Sequence, residues 1–515
     1  MKMRTKTANK AIAFIVFVAM ILSLVPYQAF AYGTKPVDNY GVDTEWYNFR
    51  NNQENNGVTE TATPTDDATA NLKWASKYGS GYSAAPTPPL ILDDKLYVGS
   101  GNKILEIDKE TGEKLRESDA MYGNVGYAMN PVLYAEGKLF VQVGNGVVQA
   151  IDLKTLKCLW HTEKIGGQTV SPISYTQVDG KGYIYTGTWG LGERSDGTYF
   201  CVAIDDENIT TDTENNKGGG KTKATEWTFT PSIDDKALVG TENAQRGFYW
   251  AGAYACENYI AVGTDDGTNE GDYTANAVFY TLNPKTGKII DRIDKIKGDI
   301  RTTVVFDNGH LYFSTKGGTL YKVDVDENGN LSNESYIDLG GMTTAAPLVY
   351  KNKIYIGVCG PGGQFNPDGG HSFKVVSNEG TLSENSLMYE LPIPGYPQAA
   401  ALLSTAYEDE DFDGDGKADG RVYLYFTYNA NPGGIYYTYD TTEATEALDM
   451  GKELYIPEED KQQYCISTIC ADDEGTLYYK NDSCYLMAVE TNPAVISNIE
   501  IMADDGTNVL WNKTF

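Results

Sequence analysis

The densest chemistry in this chain is the run Asp411-Phe412-Asp413-Gly414-Asp415-Gly416-Lys417-Ala418-Asp419. Carboxylates at alternate positions turn several hard oxygens toward one point, the donor set that a calcium ion takes. Gly416 allows the sharp turn, Lys417 offers a backbone carbonyl and Asp419 a further carboxylate. No acidic residue occupies the twelfth position, so the run is not a complete EF-hand loop. A solvated acidic turn is the alternative. Like charges packed this closely repel without a cation, which favours calcium. A second acidic run, Asp324, Asp326, Asn328 and Gly329, falls where the chain repeats a turn and is read as that turn.

Catalytic chemistry has little to stand on. The histidines are His161, His310 and His371, and none has a motif partner. A Ser-His-Asp arrangement cannot be inferred from such spacing. Aspartate and glutamate total 71, so acid pairs arise by number alone. The seven cysteines are scattered and form no C-x-x-C pair, which argues against zinc. They read as small buried hydrophobes, with at least one unpaired.

These groups need a scaffold, and the scaffold is visible as a repeat. A short apolar strand leads to a turn and a Tyr-rich strand ending near glycine. A third strand and an Asp-x-x-Thr-Gly type of turn follow. The first copy holds Lys95 to Gly99, Ile107-Asp108 and Thr111-Gly112, and the second Lys138 to Val141 and Ile151-Asp152. Later copies centre on Tyr185, Ala261, Tyr312, Tyr355, Tyr423 and Tyr478. A period in the forties with several strands per unit predicts a propeller. The expected fold is all-β: an eight-bladed β-propeller of four-stranded antiparallel blades over residues 71–493. The last copy lacks a tryptophan-bearing fourth strand. Asn71 to Ala75, with Trp74, supplies one, so the ring is expected to close through this N-terminal strand.

Candidate binding residues follow from that frame. Loops between second and third strands are long in copies three, four and six, and long loops on a rigid scaffold are where binding concentrates. They carry Trp189, Arg194, Asp265 and His371, and the blade-to-blade segments add Arg246, Trp250, Arg301 and Tyr396. An aromatic-plus-acid rim suits a carbohydrate or protein ligand. Simple packing of loop anchors is the alternative. The Asp411 loop joins first and second strands on the opposite face, so its calcium is expected to be structural.

The ends and the charge set the compartment. Lys2, Arg4, Lys6 and Lys10 precede an apolar run to Val25, and Ala29-Phe30-Ala31 fits a cleavage site. Residues 1–31 read as a signal peptide, which makes the protein secreted or cell-surface, with no membrane span after cleavage. Removing four positive charges takes the net charge from −30 to −34. Such acidity excludes nucleic acid as partner and disfavours anionic lipid. Residues 32–70 read as a lead-in and polar linker, and Asn208 to Ala224 as an insertion that need not fold. Residues 494–515 read as the start of a second β-domain, too short to finish, with an Ig-like unit among the options.

The repeats resemble the pyrroloquinoline-quinone (PQQ)-type propeller family, on the residues Lys95 to Gly99, Ile107-Asp108 and Thr111-Gly112. The stretch Glu45 to Asn51 with Asn55 to Thr59 is similar to that family's lead-in. The resemblance implies the fold over about residues 45–493. It does not imply one activity, because the family holds both quinoprotein dehydrogenases and non-catalytic propellers. Its dehydrogenases carry adjacent cysteines over the cofactor, and no two cysteines here are neighbours. The expectation is therefore a binding or scaffold propeller without PQQ. The alternative is a PQQ-dependent or carbohydrate-active enzyme at the propeller mouth.

Overall fold

The computed structural model describes residues 40–81, 84–125, 131–190, 196–212, 216–239, 247–265, 276–441, 451–492, 498–502 and 509–514. Residues 1–31, read from the sequence as a signal peptide, lie outside them. Eight antiparallel sheets follow one another around a ring. Blade one is built from Leu90–Leu92, Lys95–Ser100, Lys103–Asp108 and Lys114–Glu117. Its inner three strands are almost wholly buried and its outer strand is exposed, the gradient expected when sheets stack face to face about an axis. The remaining blades repeat this order, and Asn498–Met502 pairs with Val509–Thr514 as a separate hairpin.

The ring closes as expected. Ala70–Lys77 is the outer strand of blade eight and pairs antiparallel with Tyr485–Thr491, from Ala70 opposite Thr491 to Lys77 opposite Tyr485. The innermost strand of this blade is Cys470–Ala471.

The recurrence of tryptophan and of Thr-Gly has one physical cause. In the first turn, Asp108 Oδ1 accepts from Thr111 N at 2.8 Å, which folds the chain back at Gly112. The Trp74 indole from the neighbouring blade lies flat on that glycine and donates to Lys109 O at 2.9 Å. A Cβ on Gly112, whose φ is +68°, would stand 2.5 Å from the indole. Trp227 of blade three repeats the contact on blade four, with Pro284 O at 2.9 Å and Gly287 beneath. Lysines staple other seams. Lys138 Nζ reaches Ile204 O at 2.7 Å, and Lys322 Nζ reaches Asn378 O and Gly380 O at 2.9 Å.

Two polar stretches depart from expectation. The insertion after Asp205 does fold: Ile209–Thr211 and Lys221–Lys223 form a hairpin that extends blade two, with Lys221–Lys223 running parallel to Cys158–Thr162. The cause is Lys223, which is buried against Trp160 while its ammonium engages Asp205 and Glu207 O. The lead-in is no linker either. It enters beside Glu136 and Asp93, in the turns between first and second strands, and circles inside the channel. Trp46 bridges Ile91 of blade one, and Tyr47 O accepts from Tyr134 N of blade two. Gln53 Nε2 donates to Thr176 and Ala255 O in blades three and four. Glu54 O accepts from Phe306 N of blade five, and Asn56 exchanges two bonds with Val349 of blade six. Val58–Thr59 runs parallel to Leu402–Ser404 of blade seven. Glu45 accepts from Asp473 N of blade eight and from Lys109 of blade one. Arg50 is buried with Nη2 on Ala401 O, and burial alone pushes its guanidinium down to about 9.

Candidate functional site

The lead-in fills the channel from one end, so the open end is the face of the blade-to-blade connectors and the long loops. Six connectors converge there and contribute Pro172, Trp250, Arg301, Thr344, Gln398 and Thr468 to a cavity of about 60 Å³, with Phe49 of the lead-in on its wall.

At its rim stands a cluster from four chain segments. Trp189 is fixed by a two-way backbone bridge to Gln168 at 2.9 Å. Its ring meets Tyr249 edge-on with centroids 5.2 Å apart, and Tyr249 in turn lies 4.7 Å from Trp250. The Arg301 guanidinium sits 4.9 Å over the Tyr249 ring. Arg301 Nη2 also pairs with Asp265 at 3.0 Å and Asp299 at 2.9 Å, both carboxylates being buried. One cation between two buried acids and an aromatic face is a held geometry, able to offer rings for stacking and polar edges for hydrogen bonds. Trp250 has a backbone φ of +56°, a costly conformation for a bulky residue.

The sequence-derived candidates thus divide. Trp189, Trp250, Asp265 and Arg301 come together. Arg194 and Arg246 lie outside the described residues. His371 and Tyr396 are corrected to internal anchors. His371 Nδ1 accepts from Gly360 N at 3.0 Å and Nε2 bonds Asn366 O at 2.8 Å, so both ring nitrogens hold its own loop. Tyr396 is fully buried and its hydroxyl accepts from Thr344 N at 2.8 Å; burial raises its pKa. Sequence reasoning missed Phe49, Asp299 and Gln398. Gln398 is an ordinary residue in a connector, and nothing in its type or spacing signals that it faces the axis.

The acidic loop sits, as expected, between Leu402–Ser404 and Arg421–Thr427 on the opposite face. Asp411 accepts from Gly414 N at 2.7 Å and Gly416 N at 2.8 Å, and these amides, Gly416 first, hold its carboxyl below the usual range. Asp411, Asp413 and Asp419 bring ligand oxygens within 4.8 Å of one another, a set that Asp415 does not join. Asp415 Oδ1 accepts instead from Lys417 N at 2.9 Å. The Arg421 guanidinium, between Phe412 at 3.8 Å and Tyr439 at 4.4 Å, ties the loop to its blade. The run at Asp326 is a turn, as read: its Oδ1 accepts from Asn328 N and Asn330 N.

Residues 58–194 match a family model described as outer membrane protein assembly factor BamB. Among solved structures, the quinohemoprotein alcohol dehydrogenase of Comamonas testosteroni superposes with a TM-score of 0.55 at 13% identity, covering 87% of this chain and 81% of that one. A europium-containing methanol dehydrogenase gives 0.56 at 11% identity, covering 85% and 89%. The fold is the PQQ-like β-propeller. BamB from Moraxella catarrhalis gives a TM-score of 0.45 at 11% identity, over 82% of this chain and 99% of that one. No curated protein matches the chain in sequence. Two acids at this mouth, Asp265 and Asp299, are engaged by Arg301. Among the described residues no helix is long and apolar enough to cross a membrane.

Proposed function

We propose that the protein is an exported, secreted or cell-surface binding propeller that takes a carbohydrate or protein ligand on its connector face, with calcium as a structural ion in the Asp411 loop. The observation that carries the reading is the Trp189–Tyr249–Trp250 group around the Arg301–Asp265–Asp299 pairs on the connector face. Stacked rings and fixed polar edges recognise a ligand without needing a nucleophile or a base. The partial match to a model of an outer membrane assembly factor supports an exported scaffold role. In a glycan and peptide array, hits are expected without turnover. Trp189→Ala should weaken the best hit at least tenfold, about 1.4 kcal/mol. Binding that ignores this substitution removes the connector face as the site.

For the ion, Asp413→Ala is the informative change, because Asp413 belongs to the three-carboxylate group and its backbone bond is to the local amide of Asp415 at 3.0 Å. The variant should melt at lower temperature than the parent in calcium and at the same temperature in chelator. Equal melting temperatures in calcium would dispose of the ion.

A further inference from the structure

The cavity below the aromatic rim has a chemistry of its own. Gln398, 7% exposed, lines it. Its Oε1 accepts from Asn429 Nδ2 at 2.9 Å, which leaves the amide N–H pair without a bond among the described residues. Beside it, the Trp250 indole N–H is enclosed and has no acceptor among the described residues. Phe49, Ala346, Ala400 and Ile466 supply apolar wall. The atoms left to pair thus include the Gln398 amide donors, with the Thr303 and Thr468 hydroxyls also on the lining, beside an apolar wall.

An acceptor with an apolar neighbour satisfies both demands. A carboxylate would supply acceptors but would bury its charge, whereas a neutral amide carbonyl carries no such penalty. At roughly 10–15 Å³ per water-sized centre, the 60 Å³ cavity admits a group of about four heavy atoms. Trp250, on the cavity's lining, offers a ring to the carbon face of a sugar. We propose that this cavity takes the acetamido group of an N-acetylhexosamine unit, its carbonyl accepting from Gln398 and its methyl against Phe49, with the pyranose on the Trp250 ring. The left-handed backbone at Trp250 agrees, since strain held by its surroundings gathers at ligand-binding positions. This inference rests on the connector face being the binding face.

The test is calorimetric titration of the full chain with a β-1,4-linked N-acetylglucosamine trisaccharide and with cellotriose, which lacks only the acetamido groups. The first should bind at least tenfold more tightly. Gln398→Glu, which keeps an acceptor for Asn429 and removes the donors, should cost tenfold or more with the first sugar and little with the second. If that variant fails to fold, saturation-transfer NMR on the parent decides: the acetyl methyl should receive the strongest saturation. Equal affinity for both sugars, no binding of either, or an unsaturated methyl overturns the inference. In those cases a different array ligand that Trp189→Ala weakens leaves the connector face standing as the site, and the lack of any such ligand removes both.

Discussion

Asp440→Ala is expected to cost about 3–5 kcal/mol of stability. Lys353 begins the second strand of blade six and is 1% exposed. Its ammonium lies 2.9 Å from Asp440 Oδ2 across the seam to blade seven and 2.8 Å from Thr441 O. Tyr355 donates to the same carboxylate oxygen at 2.9 Å. Removing the acid leaves a buried cation with only a carbonyl and the distant Tyr389 hydroxyl, and a phenol with no partner. An intact buried pair is worth little against apolar residues of similar size, but a broken one is expensive. Lys353→Met combined with Asp440→Leu should therefore recover most of the loss. Urea titration followed by fluorescence measures both, and a single-variant loss below about 1 kcal/mol would refute the assignment.

Trp74→Ala should cost a similar amount, about 3–5 kcal/mol, through the void left under a buried indole and the bond lost to Lys109 O. Trp227→Ala makes the same local loss inside continuous chain. The two differ in what they hold. Trp74 belongs to the strand that joins the beginning of the propeller to its last blade. Hydrogen exchange at residues 485–491 should therefore accelerate in the Trp74 variant and stay slow in the Trp227 variant. Unchanged protection there in the Trp74 variant would show that the closing strand is held without its tryptophan.

The ring was legible because its stabilising contacts recur in sequence. Asp108, Thr111 and Gly112 make a turn, the turn makes a seat, and the seat takes an indole, so the seams at Trp74 and Trp227 carry the same marks. Loop length pointed to Trp189 and Asp265, and place in a blade-to-blade segment to Trp250 and Arg301. Neither could separate these from His371, whose ring is turned back on its own loop, or from Tyr396, whose hydroxyl is bonded to Thr344 of another connector. The lead-in was illegible for a different reason. Asn52, Asn55 and Asn56 look like linker residues, yet their amides stand in for backbone pairing. Asn55 alone donates to Ala253 O and Val304 O at 2.9 Å. A polar side chain that replaces a ladder bond leaves no periodic mark. The hairpin after Asp205 hid behind its glycines in the same way, its decisive residue being the single Lys223.

The circling lead-in also imposes an order of events. Residues 45–59 are made by the ribosome before any blade exists, yet their partners extend to Asp473 and their successor strand to Thr491. The earliest segment translated must wait, solvated and unmatched, for the latest one. Its asparagine-rich composition suits that delay, because amides remain soluble where an apolar ribbon would seek other chains. Such long-range pairing makes for slow maturation. It also leaves each partial product visibly incomplete to proteases, so that only a chain read through its eighth blade acquires resistance.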